Sequence, residues 1–166
     1  MPLHDLLTAP RVAILGDEAL RTAAPAGGDR ARVLHAAARL LATPDGEAAA
    51  IARSLFEREG LASTALGDGV ALPHARSADL DHCRGAFLRL ARPVDFGAPD
   101  GQPVDLVLAL LVPERDIEAQ LVRLAELAER FADARFRRAL REAADVPALC
   151  RHLLAGSHPA PLSRAA

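Results

Sequence analysis

A histidine directly follows a proline in the stretch GLASTALGDGVALPHARSADL, residues 60–80, and this pair is the feature of the chain best suited to chemistry. Pro73 fixes its own φ and disfavours helical geometry at the residue before it. Gly67 and Gly69 permit tight backbone turns just upstream. These residues predict a stiff, extended loop that presents the imidazole of His74. The alternative is an incidental loop histidine.

A neutral imidazole has an available lone pair near neutral pH and can attack phosphorus, which gives a phosphoramidate suited to passing the phosphoryl group onward. Such a site needs groups that stabilise anionic oxygens, for example guanidinium groups, hydroxyls or backbone N–H groups. Candidates close in sequence are Arg58, Ser63, Thr64 and Arg76. Taken alone, Arg58 also fits another role, that of an exposed cation at the C-terminal end of a helix.

The remaining histidines and the cysteines indicate no second centre. Solvent or helix-dipole contacts are expected for His4, His35, His152 and His158. His82 and Cys83 follow His74 closely, but a tetrahedral metal site needs more ligands at short spacing, so neither a metal nor a cofactor is expected. Cys83 and Cys150 are far apart in sequence and are expected to be reduced thiols.

Composition excludes several classes of function. The chain has 166 residues, 51% hydrophobic and 25% charged, with a net charge of −2, and all 20 basic residues are arginines. A P-loop and Schiff-base chemistry both need a lysine, and 3% aromatic residues with spread-out charge disfavour nucleic-acid binding. No signal peptide is visible, and the longest apolar run, residues 106–113, is too short to span a bilayer. A cytoplasmic protein without direct membrane insertion is expected.

Hydrophobic periodicity predicts a single α/β domain over residues 1–155, with a mixed β-sheet flanked by helices on both faces, and a flexible tail over 156–166. The predicted helices cover residues 29–42, 47–59, 116–132, 134–143 and 145–155, and the predicted strands cover 62–66, 69–72, 85–91 and 103–112. The helix over 116–132 is strongly amphipathic, and its expected core face is Ile117, Leu121, Leu124, Leu127 and Phe131.

Two segments carry a resemblance to a known family. EREGLASTALGDGVALPHAR (57–76) and PVDFGAPDGQPVDLVLALLVP (93–113) closely resemble enzyme IIA domains of the bacterial phosphotransferase system. The similarity is to the fructose/mannitol class, most of all to its nitrogen-regulatory branch, and covers about residues 3–155. It implies a mixed sheet flanked by helices and a phosphoryl group accepted by His74 from an HPr-like phosphocarrier protein. It also implies that Arg58 is the active-site arginine that faces the phosphoryl oxygens.

One position departs from the family pattern. Relatives usually carry a second active-site histidine near the start of the helix after the LLVP strand, where this chain has Gln120. Glutamine can donate a neutral hydrogen bond to His74 or to a phosphoryl oxygen, but it cannot become cationic. Losing a charge-assisted bond is expected to cost on the order of 1 kcal/mol, a five- to tenfold effect on phosphotransfer.

Three functions remain open at this point. The leading one is a phosphohistidine carrier, rather than a multiple-turnover enzyme, whose phosphorylation state regulates partners such as a kinase or a transporter. The second is a regulatory binding module of the same fold that is no longer phosphorylated, which Gln120 favours. The third is a IIA component that feeds a separate sugar permease. A hydrolase is disfavoured because the sequence has no serine or cysteine elbow.

Overall fold

The computed structural model describes residues 3–7, 11–23, 27–43 and 46–155. Its helices are α1 Leu3–Leu6, α2 Asp17–Ala23, α3 Asp29–Leu41, α4 Ala48–Leu61, α5 Ile117–Ala132, α6 Ala134–Glu142 and α7 Val146–Ala155. Its strands are β1 Val12–Leu15, β2 Ala65–Gly67, β3 Val70–Ala71, β4 His74–Ser77, β5 Arg84–Val94 and β6 Val104–Pro113. The predicted tail, 156–166, lies outside the described residues.

The strands form one mixed sheet in the order β1-β5-β6-β3-β2, and β4 pairs with β6 beyond the end of β3. β5 and β6 are antiparallel, whereas β3 and β4 run parallel to β6. β6 is almost continuously apolar because both of its faces are covered, and Leu106–Val112 are all at most 5% exposed. The long central strand therefore provides the frame on which β3 and β4 are aligned.

Helices cover both faces of the sheet, as the sequence predicted. Alternation along β5 sends Leu88 into a core with α2, α3 and α4, and sends Phe87 into a second core with α1, α5, α6 and α7. Leu55 of α4 lies in the first core and Phe131 of α5 in the second. The two helices that will flank the site, α4 and α5, thus belong to different layers.

The structure departs from the predicted elements in three places. α1, β1 and α2 precede the segment that was predicted to be the first helix, and they are too short to give a clear periodicity. α4 continues through Gly60 to Leu61. His74 begins a strand, β4, instead of lying in a loop, because parallel pairing with Leu110–Pro113 of β6 extends the sheet past Pro73.

The expected core face of α5 is correct only in its C-terminal half. Leu127 and Phe131 are buried, but Ile117 is 52% and Leu121 61% exposed, while Gln120 is 8% exposed. The buried stripe of the first turns is therefore centred on the polar Gln120. Apolar side chains consequently remain on the outer surface of this helix.

The described residues contain neither a helix that could span a membrane nor a cluster of metal-binding side chains. Within them, none of the helices combines the length and the apolar character that crossing a membrane requires. The same residues also contain no group of three or more His, Cys, Asp or Glu side chains arranged to hold a metal ion.

Candidate functional site

His74 is the first residue of β4, and only Leu72 and Pro73 separate it from the end of β3. The Leu72 N–H donates to the Thr64 carbonyl at 3.0 Å, and the Leu110 N–H donates to the Pro73 carbonyl at 2.9 Å. The segment is therefore held on both sides immediately before the histidine. The extended geometry that Pro73 predicted is present, and the imidazole lies half-buried at the start of β4.

The two ring nitrogens of His74 have different partners. Nδ1 lies 2.9 Å from the carbonyl oxygen of Leu72, which can only accept, so Nδ1 carries the proton. The Arg58 Nε–H donates to Nε2 at 3.1 Å, and a guanidinium can only donate, so Nε2 is the acceptor. Both neighbours select the same tautomer, and it leaves the lone pair on Nε2.

Burial is the main cause that lowers the pKa of His74 below its usual value. The Arg58 and Arg76 charges also lower this pKa, whereas the Leu72 hydrogen bond and the Glu59 charge raise it. The net direction is downward. The ring is therefore neutral at pH 7 and keeps the lone pair that nucleophilic attack requires.

Arg58 extends from the last turn of α4. Besides its bond to His74, it donates from Nη1 to the Ala62 carbonyl at 3.0 Å, at the C-terminal end of the helix. The two roles considered from the sequence, a helix-end cation and a cation beside the histidine, therefore occur in one side chain.

Arg76 lies two residues after His74 on β4 and is exposed. Together with Arg58 and His74 it lines an open hollow of about 630 Å³, which Glu57 and Glu114 also border. Two arginines therefore border the same open hollow as the ring.

Ser63 and Thr64 border a second hollow beside His74, but their hydroxyls already have protein partners. The Ser63 hydroxyl donates to the Phe96 carbonyl and accepts the Ala65 N–H at 3.1 Å. The Thr64 hydroxyl donates to the Glu59 carboxylate. In this state both residues shape the loop that leads to β2.

Gln120 is buried and is not hydrogen-bonded to His74 within the described part of the chain. Its Oε1 accepts from the Cys83 thiol at 3.2 Å and from Arg123 at 3.3 Å. Its Nε2 donates to the Arg115 carbonyl at 3.5 Å. The structure therefore directs this side chain toward the start of β5, and of the two bonds considered from the sequence, the one to His74 is not made among the described residues.

Glu59 is the residue of the site that sequence reasoning did not identify. It is 6% exposed and accepts both the N–H and the hydroxyl of Thr64. The available signal was its spacing, because Ile51, Leu55 and Glu59 follow one another at intervals of four on the buried face of α4. A carboxylate on that face needs a specific partner.

Exposed apolar side chains lie at and near the two hollows beside His74. Leu61 is 84% exposed and borders the hollow of Arg58, and Leu66 is 43% exposed and borders the hollow of Ser63. Leu124 and Ala125 of α5 line the second hollow, and Leu121 stands one helical turn before them. An apolar rim of this kind, here Leu61, Leu66 and Leu121, is typical of a protein-binding surface.

Comparison with known proteins agrees with this geometry. Residues 18–155 match the model of the family described as phosphoenolpyruvate-dependent sugar phosphotransferase system, EIIA 2. The chain is 42% identical over 125 residues to the nitrogen regulatory protein of Pseudomonas aeruginosa, covering 74% of this chain and 81% of that protein. It is 36% identical over 149 residues to the nitrogen regulatory protein of Bradyrhizobium diazoefficiens, covering 90% and 92%.

A solved structure shows the same similarity at the level of the fold. The crystal structure of nitrogen regulatory protein IIA-Ntr from Neisseria meningitidis superposes with a TM-score of 0.77 at 34% identity, covering 91% of this chain and 98% of that one. The resemblance that the region around His74 predicted is thereby confirmed. The chain belongs to the EIIA 2 family of the phosphotransferase system, and it is similar to that family's nitrogen regulatory proteins.

Proposed function

We propose that this chain accepts a phosphoryl group on Nε2 of His74 from an HPr-like phosphocarrier protein, and that its phosphorylation state regulates partner proteins. The observation that carries the proposal is the ring itself: Nδ1 is bonded to the Leu72 carbonyl, and the lone pair of Nε2 faces Arg58 beside an open hollow. Family membership supplies the class of reaction.

The proposed step is an in-line exchange between two imidazoles. The Nε2 lone pair of His74 attacks phosphorus, a new N–P bond forms, and the N–P bond of the carrier's phosphohistidine breaks. The carrier imidazole leaves with that electron pair, and the phosphoryl oxygens keep their charge throughout. The proton on Nδ1 of His74 stays in place, so the bond to Leu72 orients the ring during the transfer.

Arg58 has to release Nε2 before this nitrogen can attack. The guanidinium then lies next to the incoming group. Its N–H groups can stay hydrogen-bonded by donating to the phosphoryl oxygens instead of to Nε2 of His74. Arg76 borders the same hollow and adds a second cation. The two arginines offset the charge that accumulates on the transferred group.

The surroundings of His74 fit a protein donor better than a small molecule. The hollow is open, and the apolar rim of Leu61, Leu66 and Leu121 would be covered by a docked protein. A phosphorylated ring places a dianionic group at the centre of that rim, which permits or blocks the docking of a regulated protein such as a kinase or a transporter.

A binding module that is no longer phosphorylated is the second candidate, and the contacts of Gln120 favour it. By the resemblance, this residue stands where relatives usually carry a second histidine, and its amide is bonded to Cys83 and Arg123 rather than to His74. The charge that a second imidazolium would give the reaction is therefore missing. A IIA component for a separate sugar permease uses the same phosphorylation step and differs only in its acceptor.

Intact-mass spectrometry after incubation with phosphoenolpyruvate, enzyme I and an HPr-like carrier tests the proposal, at neutral or alkaline pH to preserve phosphohistidine. We expect one added phosphoryl group on the wild type, none on His74→Ala, and normal loading of His82→Ala, which removes a nearby exposed histidine. Gln120→His should load faster by about fivefold if the missing charge limits transfer.

The outcomes separate the candidate functions. A wild type that never loads, with loading restored in Gln120→His, would support the binding module. Loading of His74→Ala at the wild-type level would contradict the assignment of the phosphorylated residue. Transfer from the loaded protein to a permease IIB domain would favour sugar uptake over regulation.

A further inference from the structure

Glu59 is a buried carboxylate without a cationic partner. It is 6% exposed, and no arginine or histidine nitrogen of the described segments lies within ion-pair distance of it. Both of its oxygens are instead bonded to Thr64, one to the N–H at 3.1 Å and one to the hydroxyl at 2.5 Å. A buried charge is costly, so its position next to the histidine calls for a functional reason.

The pairing of β2 and β3 supplies that reason. Extended outward by one residue, the register that joins Ala65 to Ala71 would pair Thr64 with Leu72. In an antiparallel pair of this type the two residues exchange two hydrogen bonds. Only one is made here, from the Leu72 N–H to the Thr64 carbonyl. The second donor, the Thr64 N–H, bonds to Glu59 instead.

Because Glu59 takes that N–H, no backbone N–H of the described residues donates to the Leu72 carbonyl, and this carbonyl accepts from Nδ1 of His74 at 2.9 Å. We propose that Glu59 is a positioning residue: it diverts the Thr64 N–H from the Leu72 carbonyl, which frees this carbonyl to hold the proton on Nδ1 and to leave the lone pair on Nε2. The inference rests on the proposed function only for its effect on phosphoryl transfer, since the tautomer exists without any phosphate.

The diversion decides which nitrogen is the nucleophile. A neutral imidazole in water carries its proton mainly on Nε2, and the partner of the other nitrogen overrides this preference in a protein. If the Thr64 N–H returned to the Leu72 carbonyl, Nδ1 would compete for a shared acceptor. The lone pair would then move partly to Nδ1, which faces the backbone rather than the hollow.

Several charges act on the same ring and have to be kept constant in the test. Arg58 and Glu59 approach it from α4 and Arg76 from β4, and Glu57 and Glu114 border the hollow. The Glu59 charge raises the pKa of His74. A substitution that removes the charge but keeps the hydrogen bonds therefore separates electrostatics from positioning.

Long-range proton–nitrogen NMR of the His74 ring in the unphosphorylated protein reads the tautomer directly. We expect Nδ1 protonated in the wild type and in Glu59→Gln, whose amide can accept the Thr64 N–H and donate to its hydroxyl. We expect a mixed or Nε2-protonated ring in Glu59→Ala and in Glu59→Asp, whose shorter side chain keeps the charge but loses reach. Glu142→Ala, at an exposed position of α6, is the matched control.

The rate of loading is the second readout. We expect about a tenfold loss in Glu59→Ala and Glu59→Asp and less than about a threefold loss in Glu59→Gln. Folded Ala or Asp variants with a wild-type tautomer would overturn the inference, as would an Nε2-protonated wild type. If the wild type never loads, the proposed function fails, but the NMR result still decides the role of Glu59.

Discussion

At each end of the β2–β3 hairpin a carboxylate accepts a backbone N–H, and the two carboxylates differ in burial. At its base Glu59 accepts the Thr64 N–H at 3.1 Å, and at its tip Asp100 accepts the Asp68 N–H at 2.7 Å. Glu59 is buried, whereas Asp100 is exposed. At the tip Arg141 also donates to the Asp68 carbonyl at 2.7 Å.

The tip needs this support because of its backbone. Gly67, Asp68 and Gly69 have φ values of 101°, 53° and 78°, so three successive residues are in the left-handed region, one of them not a glycine. A Cβ at Gly69 would lie 2.5 Å from the Arg141 guanidinium. The exposed carboxylate therefore stabilises a turn, whereas the buried one, by the inference above, takes a backbone N–H and leaves the Leu72 carbonyl free for His74.

The largest effect on stability is expected at the base, in Thr64→Val. The substitution keeps the shape of the side chain but leaves one oxygen of the buried Glu59 carboxylate unpaired. We expect the free energy of unfolding to fall by about 2 kcal/mol, measured by urea denaturation.

Thr64→Ser keeps the hydroxyl and loses one methyl group, so it should cost about 0.8 kcal/mol. A smaller loss in Thr64→Val, which keeps the methyl group, than in Thr64→Ser would mean that burial of the methyl group stabilises the base more than the Glu59 bond does.

A smaller effect is expected at the tip, in Arg141→Ala. The guanidinium forms a two-pronged pair with Asp105, 2.8 Å on each side, but the Arg141 side chain is 36% exposed. We expect a loss of about 1 kcal/mol in urea denaturation. The tautomer of His74 should stay unchanged, because the base of the hairpin is intact. A tautomer shift in this variant would show that the two ends are coupled.

The base and the tip should also differ in the pH range in which stability changes, because His74 lies near the base and Asp100 at the tip. Burial lowers the folded-state pKa of His74 below its usual value of 6.5, so the unfolded chain binds the proton more readily. The resulting stability is present above pH 6.5 and is lost as the pH falls through the folded-state pKa. Urea denaturation from about pH 7.5 to about pH 5 should show a slope that His74→Gln reduces. An unchanged slope would assign it to other groups.

The smallest effect is expected for Asp100 in acid. Accepting the N–H groups of Asp68 and Gln102 lowers its pKa below 3.8. Its contribution is present above that value and disappears as the pH falls through the folded-state pKa. Asp100→Asn should therefore flatten the loss of stability below about pH 4. Thermal unfolding of both proteins at pH 3 and pH 6 measures the difference.

The fold and the extended segment that carries His74 could be predicted from sequence because both depend on local patterns. A continuous apolar run indicated β6, and the Pro73–His74 pair with its glycines indicated an extended presenting segment. The pairing of β4 with β6 was not predictable, since His74 and Leu110 are distant in sequence.

The less predictable contacts are those between polar groups of separate segments. The Ser63 hydroxyl is bonded to Phe96, 33 residues away, and the Gln120 amide to Cys83, 37 residues away. Both were expected to face the phosphoryl group, and no periodicity in the sequence indicates these partners. The exposure of Leu121 was equally unpredictable, because Gln120 and not Leu121 is the buried residue in the first turns of α5.

The bond from Arg58 to Nε2 also has a meaning for chemical selectivity. A free imidazole lone pair binds divalent metals and reacts with small electrophiles, whereas one that already accepts a guanidinium N–H does neither until that donor moves. Under the proposed function, a docking protein that offers an anionic phosphoryl group to Arg58 would remove this donor as the phosphorus arrives. The Nε2 lone pair would then be masked in the resting protein and released by the charge of the incoming group.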